Sequence, residues 1–286
     1  MWVLFAFGSA LFAGITAILA KIGIKNTDSN VATAIRTVVI LIFSWIMVFV
    51  VGAQNTIGNI NSKTLIFLIL SGLATGGSWL CYFKALQIGD VNKVTPIDKS
   101  STVMTMILAF IILGENITIY KIIAMILISI GTYLMITRKN VAVSNAEGNK
   151  WMIYAVFSAV LASFTSILGK IGIQGVDSNL GTAIRTIVVL IMAWVVVFVI
   201  GKQNEVTKID RKSIVFICLS GITTGLSWLC YYKALQDGQA SIVVPIDKLS
   251  IIITIAFSYL FLKEKLTKKS LFGLCLMVMG TLLLLM

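Results

Sequence analysis

The residues of this chain that could do chemistry are charged side chains inside apolar segments, and they occur twice. PIDK stands at 96–99 and 245–248, TAIRT at 33–37 and 182–186, and KALQ at 84–87 and 233–236. A charge near the centre of a bilayer costs about 2.5–3.5 kcal/mol on insertion scales, so such residues usually face a cavity or a partner. The repeated set is Lys21, Arg36, Lys84, Asp98 and Lys99 in one copy, and Lys170, Arg185, Lys233, Asp247 and Lys248 in the other.

Two interpretations of these charges stay open. They form ionic gates at the two ends of a substrate path, or they are snorkelling lysines together with structural salt bridges. Snorkelling fits Lys21 and Lys84 as well as a gate does, because both lie near the ends of apolar segments. It fits Arg36 and Asp98 less well, since each lies about six residues, or roughly 9 Å, into its predicted helix.

The PIDK motif has the most distinctive local chemistry. Pro96 removes a backbone donor and is expected to loosen its helix about one turn from the start. Ser101 follows Asp98 by three residues and shares its helix face, and Ser250 has the same relation to Asp247. The alternative is that the motif only begins a helix, with the preceding threonine as cap. The second copy has valine in place of that threonine, which weakens the capping interpretation.

Aromatic residues accompany the charges. SWLCY occurs at 78–82 and 227–231, which places Trp79, Tyr82, Trp228 and Tyr231 in equivalent positions. These rings could lie in the interfacial belt of a membrane protein or stack on a ligand, and the sequence leaves both possibilities open.

The composition identifies the solvent as lipid. Of 286 residues, 58% are hydrophobic and 12% charged, with 2 Pro and no His, and the mean hydropathy is +1.01. Soluble domains are about 25% charged, so a soluble, disordered or disulfide-stapled chain is excluded. The four cysteines lie in apolar runs and predict buried thiols. Without His or a cysteine pair at metal spacing, we expect no metal, no cofactor and no catalytic residue.

The charged residues must be positioned by ten predicted transmembrane helices, because a span needs about 20 mostly apolar residues. A shift of 149 positions, which lays Trp2 on Trp151, aligns the halves without a gap. The predicted organisation is a five-helix repeat at 1–137, a polar linker at 138–150 and a second repeat at 151–286. The ten segments are 2–24, 31–52, 64–87, 92–113, 119–137, 151–173, 180–201, 213–236, 241–262 and 267–286.

Five spans per copy is an odd number, so the two copies must cross the membrane in opposite directions, as in many secondary transporters. The charge distribution supports this inversion. Most Lys and Arg in the loops fall on one side, and only Lys63 and Lys121 fall on the other. The basic side should be cytoplasmic, which predicts a multi-pass protein of the cytoplasmic membrane with both termini outside.

A further set of residues supports a family resemblance. LGE at 113–115 and LKE at 262–264 close the fourth spans, and Gly131 and Gly280 lie in the fifth. With ten spans in two inverted copies, the whole chain resembles the EamA family of the drug/metabolite transporter superfamily, and each copy is similar to the half-size, five-span members. The resemblance implies a basket of helices with a central cavity that works by alternating access.

One departure from related proteins bears on the substrate. The small multidrug resistance proteins of the same superfamily use a glutamate in their first span, whereas this span has Ser9 and Thr16 and no acid. Exchange of cationic drugs for protons by that chemistry is therefore disfavoured. Each copy has four cations to one anion, and an unpaired charge is costly, so an anionic or zwitterionic substrate is favoured.

We therefore expect a carrier for a small polar metabolite, coupled to protons or working by exchange. The expected partners are this substrate, the bilayer and protons, with no nucleic acid, and the chain is a monomer or homodimer. A lipid-carrier flippase or small-molecule exporter of the same superfamily stays open, while a channel or membrane enzyme fits less well. The predicted binding and gating residues are Arg36, Lys84, Asp98, Lys99, Arg185, Lys233, Asp247, Lys248, Trp79, Tyr82, Trp228, Tyr231, Ser101 and Ser250.

In this prediction the two carboxylates and the cations have complementary roles. Asp98 and Asp247 are expected to pair with the arginines and with Lys84 and Lys233 when the site is empty, and to carry a coupling proton.

Overall fold

The protein is an all-α, polytopic membrane protein. A computed structural model describes residues 1–24, 27–88, 97, 100–135, 150–262 and 267–286. Within these residues the chain forms α-helices and two 3-10 segments and no β-strand. Six of the helices in this part of the chain are long and apolar enough to cross a membrane, which confirms the predicted class.

The helices follow the predicted apolar segments closely at most of their ends. Short 3-10 segments, Ala53–Asn59 and Gln203–Lys208, follow the second and seventh helices. The first half contains α1 (Trp2–Gly23), α2 (Ser29–Val50), α3 (Ser62–Ile88), α4 (Ser101–Ile112) and α5 (Ile119–Met135). The second contains α6 (Lys150–Ile173), α7 (Ser178–Val199), α8 (Arg211–Asp237), α9 (Ala240–Lys248), α10 (Ser250–Leu262) and α11 (Lys268–Leu283).

The repeated DSN sequence begins the second helix of each half. The Asp28 side chain accepts hydrogen bonds from the backbone N–H of Asn30 at 2.8 Å and of Val31 at 3.3 Å. Asp177 caps α7 in the same way. Such caps satisfy donors that a helix start otherwise leaves free. The repeat therefore preserves a start signal that fixes where Arg36 and Arg185 stand along their helices.

The predicted span at 241–262 is divided into two helices, which differs from the single helix expected. Pro245 has no N–H to continue the ladder, and the N–H of Leu249 donates to the carbonyl of Ile246, three residues back, at 2.9 Å. The chain thus tightens between α9 and α10. Asp247 and Lys248 lie at the last residues of α9, immediately before this break.

The most extensive helix pairs join the two halves: α3 with α6, α1 with α8, and α5 with α11. Ser78 donates to the carbonyl of Ser158 at 3.1 Å, and Ser227 donates to the carbonyl of Ser9 at 3.1 Å. Between α5 and α11, a methyl group on Gly131 would lie 2.6 Å from the Gly273 carbonyl oxygen. The halves are therefore interleaved and do not pack as separate bodies.

The distribution of polar and apolar side chains between surface and interior is the reverse of that in a soluble protein. Large apolar side chains such as Ile42, Phe49 and Val199 are exposed, whereas Ser9, Ser71 and other small polar residues are fully buried. Lipid is as apolar as these exposed side chains, so helix association depends on close packing and interhelical hydrogen bonds.

Candidate functional site

A central cavity of about 370 Å³ lies between helices of both halves. This volume falls in the range of about 300–1,000 Å³ that is typical of small-ligand sites. Small hydroxyl residues, among them Thr16, Thr75 and Ser166, line part of its wall. Its charged and aromatic lining is Arg36, Trp79, Arg185, Trp228, Tyr231, Tyr232, Asp247 and Lys248.

Arg185 is held firmly in the wall of this central cavity. Its side chain is 1% exposed, and its Nη2 donates to the Thr75 hydroxyl at 2.7 Å. Its guanidinium carbon lies 5.1 Å from the ring centre of Trp228 and 4.6 Å from that of Tyr232, distances that suit cation–π attraction. All these partners are neutral, so they orient the guanidinium without cancelling its charge.

Arg36 also lines the central cavity, but its surroundings differ. Its Nε is buried and has no hydrogen-bond partner in the part of the chain that the structure describes. Among the residues that the structure describes, no carboxylate forms an ion pair with it. A buried donor without a partner is unfavourable, so this guanidinium is a group with unused binding capacity.

Asp247 is the carboxylate of the central cavity. It accepts a hydrogen bond from the Ser9 hydroxyl at 2.6 Å, and its Oδ2 lies 3.9 Å from the Lys248 Nζ. The expected pairing with Lys233 is not found, because Lys233 instead pairs with Asp237 at 3.1 Å near the end of α8. Nor is Arg185 an ion-pair partner of Asp247 within the described residues.

Hydroxyl groups connect the two halves around the cavity. The hydroxyls of Thr16 and Thr223 lie 2.8 Å apart, and Thr75 donates to Thr165 at 3.3 Å. Within the second half, the Tyr231 hydroxyl lies 2.8 Å from that of Ser166. The wall therefore offers both donors and acceptors, which suits a polar ligand.

A second, larger cavity of about 910 Å³ lies near the start of α1, and we call it the end cavity. Glu115 lies in its wall. Gly114, with φ +66°, turns the chain after α4, and the Glu115 carboxylate then accepts from the N–H groups of Ala240 at 2.6 Å and Ser241 at 3.0 Å. A residue of the first half thus caps helix α9, which carries Asp247.

Two lysines complete this network at the end cavity. Lys170 donates to the carbonyls of Leu235, at 2.9 Å, and Gly238, so it binds the end of α8 and does not reach toward the interface. Lys121 donates to the Gln239 side chain at 2.6 Å. Each of these charged groups already has hydrogen-bond partners on a neighbouring helix or its end, so we regard the central cavity as the better ligand site.

Comparison with known proteins identifies the family. A model of the EamA-like transporter family matches residues 1–137 and, a second time, residues 149–286. The chain belongs to the EamA-like transporter family. The resemblance seen in the sequence is thereby confirmed, and an EamA-like membership points to a transporter, not an enzyme.

Individual relatives agree with the EamA-like assignment. A Sinorhizobium protein named "Uncharacterized transporter in cobO 3'region" is 42% identical over 134 residues, which cover 47% of this chain and 95% of the relative. An "Uncharacterized transporter" of Archaeoglobus fulgidus is 22% identical over 99% of this chain and 98% of its own. A solved crystal structure covers 99% of the chain and 96% of its own with a TM-score of 0.80 at 12% identity, which shows the fold alone.

The central cavity of this EamA-like protein brings together about half of the predicted site residues. The residues that line it are Arg36, Trp79, Arg185, Trp228, Tyr231, Asp247 and Lys248. Asp98 and Lys99 lie outside the described residues, as does the side chain of Lys21.

The other predicted residues lie away from the central cavity. Lys84 is exposed, and Tyr82 packs beside Ala155 in a small apolar cluster. The carbonyls of Ser101 and Ser250 accept hydrogen bonds from the threonine hydroxyls one turn later, so these residues begin α4 and α10 and do not line the cavity.

Two residues with clear roles were missed in the sequence. Tyr232 stacks on Arg185, yet its equivalent in the first half is Phe83. Identity between the repeats therefore does not indicate Tyr232. The signal in the sequence is the difference itself, because a hydroxyl is present at this position in one half only. Glu115 stood out only as part of the family motif, and its capping of α9 depends on a contact across 125 positions.

Proposed function

We propose that this EamA-like protein is a secondary transporter that moves a small anionic or zwitterionic metabolite across the cytoplasmic membrane by alternating access. The observation that carries the proposal is the charge of the central cavity. Among the described residues, Arg36, Arg185 and Lys248 line it against one carboxylate, Asp247. Because an uncompensated buried charge is costly, a negatively charged ligand would be stabilised there.

Alternating access is supported by matched contacts in the two halves, which we propose are inverted repeats of five spans each, ten in all. A methyl group on Gly72 would lie 3.1 Å from the Arg185 carbonyl oxygen, and one on Gly221 would lie 3.1 Å from that of Arg36. The two pairs are equivalent in the repeat, because Gly221 follows Gly72, and Arg185 follows Arg36, by 149 positions. Interfaces of equal geometry suit a carrier whose halves exchange conformations.

The break after α9 supports the placement of the site. Secondary transporters commonly bind substrates where a membrane helix is discontinuous. Here the helical path tightens at Leu249, directly after Asp247 and Lys248, two residues of the cavity lining. We propose that Asp247 senses the substrate and carries the coupling proton.

The proposed orientation places the loop basic residues in the cytoplasm and both termini outside. Lys202, Lys208 and Lys212 cluster near the start of α8, which by the positive-inside rule marks the cytoplasmic end. The end cavity would then open toward the outside.

The test is transport by purified protein in proteoliposomes. Metabolite classes are first screened for thermal stabilisation, since a ligand that binds only the folded state stabilises it by mass action. We expect carboxylates, phosphate esters or amino acids to stabilise the protein, and the Asp247→Asn variant to lose at least about tenfold in uptake, or about 1.4 kcal/mol.

Asp237→Asn is the matched control for Asp247→Asn. Asp237 is also an aspartate with a lysine partner, but it is 37% exposed at the end of α8, where an ion pair contributes little. Wild-type uptake by Asp247→Asn would refute its role. Stabilisation by amines or apolar drugs alone would refute the anionic substrate.

A further inference from the structure

The two arginines of the central cavity occupy equivalent positions but have unequal surroundings. The backbone contacts of the two arginines match, because a methyl group on Gly221 would lie 3.1 Å from the Arg36 carbonyl oxygen and one on Gly72 would lie 3.1 Å from that of Arg185. The same methyl groups would lie 2.8 Å from the Cβ of Val39 and 2.7 Å from that of Val188, one turn after each arginine. The difference between the arginines therefore lies in the side chains around them.

Arg185 lies in a site formed in part by Gly169 and Tyr232, two residues whose equivalents in the first half are of different types. A methyl group on Gly169 would lie 2.7 Å from the Tyr232 ring and 3.1 Å from the Ser71 hydroxyl. Only glycine leaves room for this ring, which stacks on Arg185. The equivalent residues of the first half are Ala20 and Phe83, so this combination of space and tyrosine occurs once.

Within the described residues, the hydroxyls equivalent to the partners of Arg185 do not accept a hydrogen bond from Arg36. By the repeat, Ser220 and Thr224 correspond to Ser71 and Thr75, the partners of Arg185. Thr224 donates to the Ser220 carbonyl at 2.6 Å, just as Thr75 donates to the Ser71 carbonyl at 2.9 Å. The serines differ, because Ser71 donates across to the Thr165 carbonyl at 2.8 Å, whereas Ser220 donates to the Ile217 carbonyl of its own helix at 2.7 Å. Arg36 keeps a buried Nε that has no hydrogen-bond partner among the described residues. Within this part of the chain, Arg185 therefore has two hydroxyl partners and two stacked rings, whereas the Nε of its equivalent has no partner.

We propose that the two arginines have diverged in role: Arg36 binds the oxyanion of the substrate, and Arg185 is a positioning residue that holds Thr75, Trp228 and Tyr232 in place. The planar guanidinium fork matches a carboxylate or phosphate group in two parallel hydrogen bonds. This assignment rests on the proposed anionic substrate but goes further, because it gives one arginine to the ligand and the other to the cavity wall.

Arginine-specific labelling with phenylglyoxal, read out by peptide mass spectrometry on the full chain in nanodiscs, tests the assignment. The chain has four arginines, Arg36, Arg138, Arg185 and Arg211, and the exposed Arg211 is the internal control. The probes are inorganic phosphate and succinate, with chloride at equal ionic strength. We expect Arg36 to react and Arg185 to stay unmodified until the protein unfolds.

Either probe should slow labelling of Arg36 about tenfold at ten times its dissociation constant, by mass action, without affecting Arg211. Protection by succinate alone identifies a carboxylate site, and protection by phosphate alone identifies a phosphate site. Either result supports the assignment. Equal reactivity of Arg36 and Arg185 would overturn it.

Two conservative variants add a second measurement, oxyanion affinity, which should not change when an arginine with a purely structural role is replaced. Arg36→Lys keeps the charge but loses the fork, so oxyanion affinity should fall about tenfold, the equivalent of one charge-assisted hydrogen bond, with an unchanged melting temperature. Arg185→Lys should lower the melting temperature and change affinity less.

The failures of the two proposals are distinguishable. If oxyanions stabilise the protein but do not protect Arg36, the anionic transporter stands and the assignment to Arg36 is refuted. If neither probe nor any other anion stabilises the protein or protects Arg36, both proposals fall together.

Discussion

Replacing Glu115 by alanine should strongly destabilise the protein, because it leaves two buried donors without partners. The carboxylate accepts from the N–H groups of Ala240 and Ser241, and both of these residues are 0% exposed. An unsatisfied buried donor costs about 1–3 kcal/mol, so the free energy of unfolding should fall by about 2–6 kcal/mol for the pair. Glutamine keeps one acceptor oxygen and should lose about half as much.

The free energy of unfolding can be measured by SDS titration in mixed micelles, with Glu205→Ala as the control. Glu205 pairs with Lys202 in a segment where both side chains are at least one-third exposed, and such pairs contribute about 0–1 kcal/mol. If Glu115→Ala loses no more stability than Glu205→Ala, the capping of α9 by the first half does not contribute as argued.

Two further substitutions test contacts that join the halves, with the same unfolding measurement. Gly131→Ala would place a methyl group 2.6 Å from the Gly273 carbonyl oxygen, and the overpacking should lower the free energy of unfolding by about 1–3 kcal/mol. Gly58→Ala is the control, because Gly58 has open space around it and the substitution should not lower the stability. Equal effects of the two substitutions would contradict the close approach of α5 and α11. Lys170→Met keeps the length of the side chain but removes its hydrogen bonds to two carbonyls at the end of α8. The free energy of unfolding should therefore fall by about 1.5–3 kcal/mol. Unchanged stability would show that Lys170 does not hold the end of α8.

Local features of the sequence predicted the helices well. Apolar runs of suitable length predicted spans at 31–52 and 180–201, and α2 and α7 begin two residues earlier, at Ser29 and Ser178. The difference is due to the aspartate caps, which the prediction did not use, although each cap binds N–H groups only two or three residues away. The proline in the second PIDK motif predicted a loosened helix, but the position of the break did not follow from it. The tightened turn appears at Leu249, four residues after Pro245.

Side-chain partners across the two halves could not be predicted in the same way. Lys84 and Lys233 repeat as faithfully as Arg36 and Arg185, yet Lys233 pairs with Asp237 and Lys84 is exposed. Identity between repeats preserves the helix face on which a residue stands. It does not determine the partner, which depends on positions such as Gly169 and Tyr232 where the halves differ.

The interleaving of the halves has a consequence for synthesis. Ser9 and Ser227, which meet between α1 and α8, are separated by 218 positions, so α1 completes its packing only after most of the chain has been made. Until then its buried serine and threonine hydroxyls must be satisfied by their own helix, by lipid headgroups or by the insertion machinery. Joining both copies in one chain supplies the missing partner at high effective concentration, so assembly does not depend on an encounter between separate molecules.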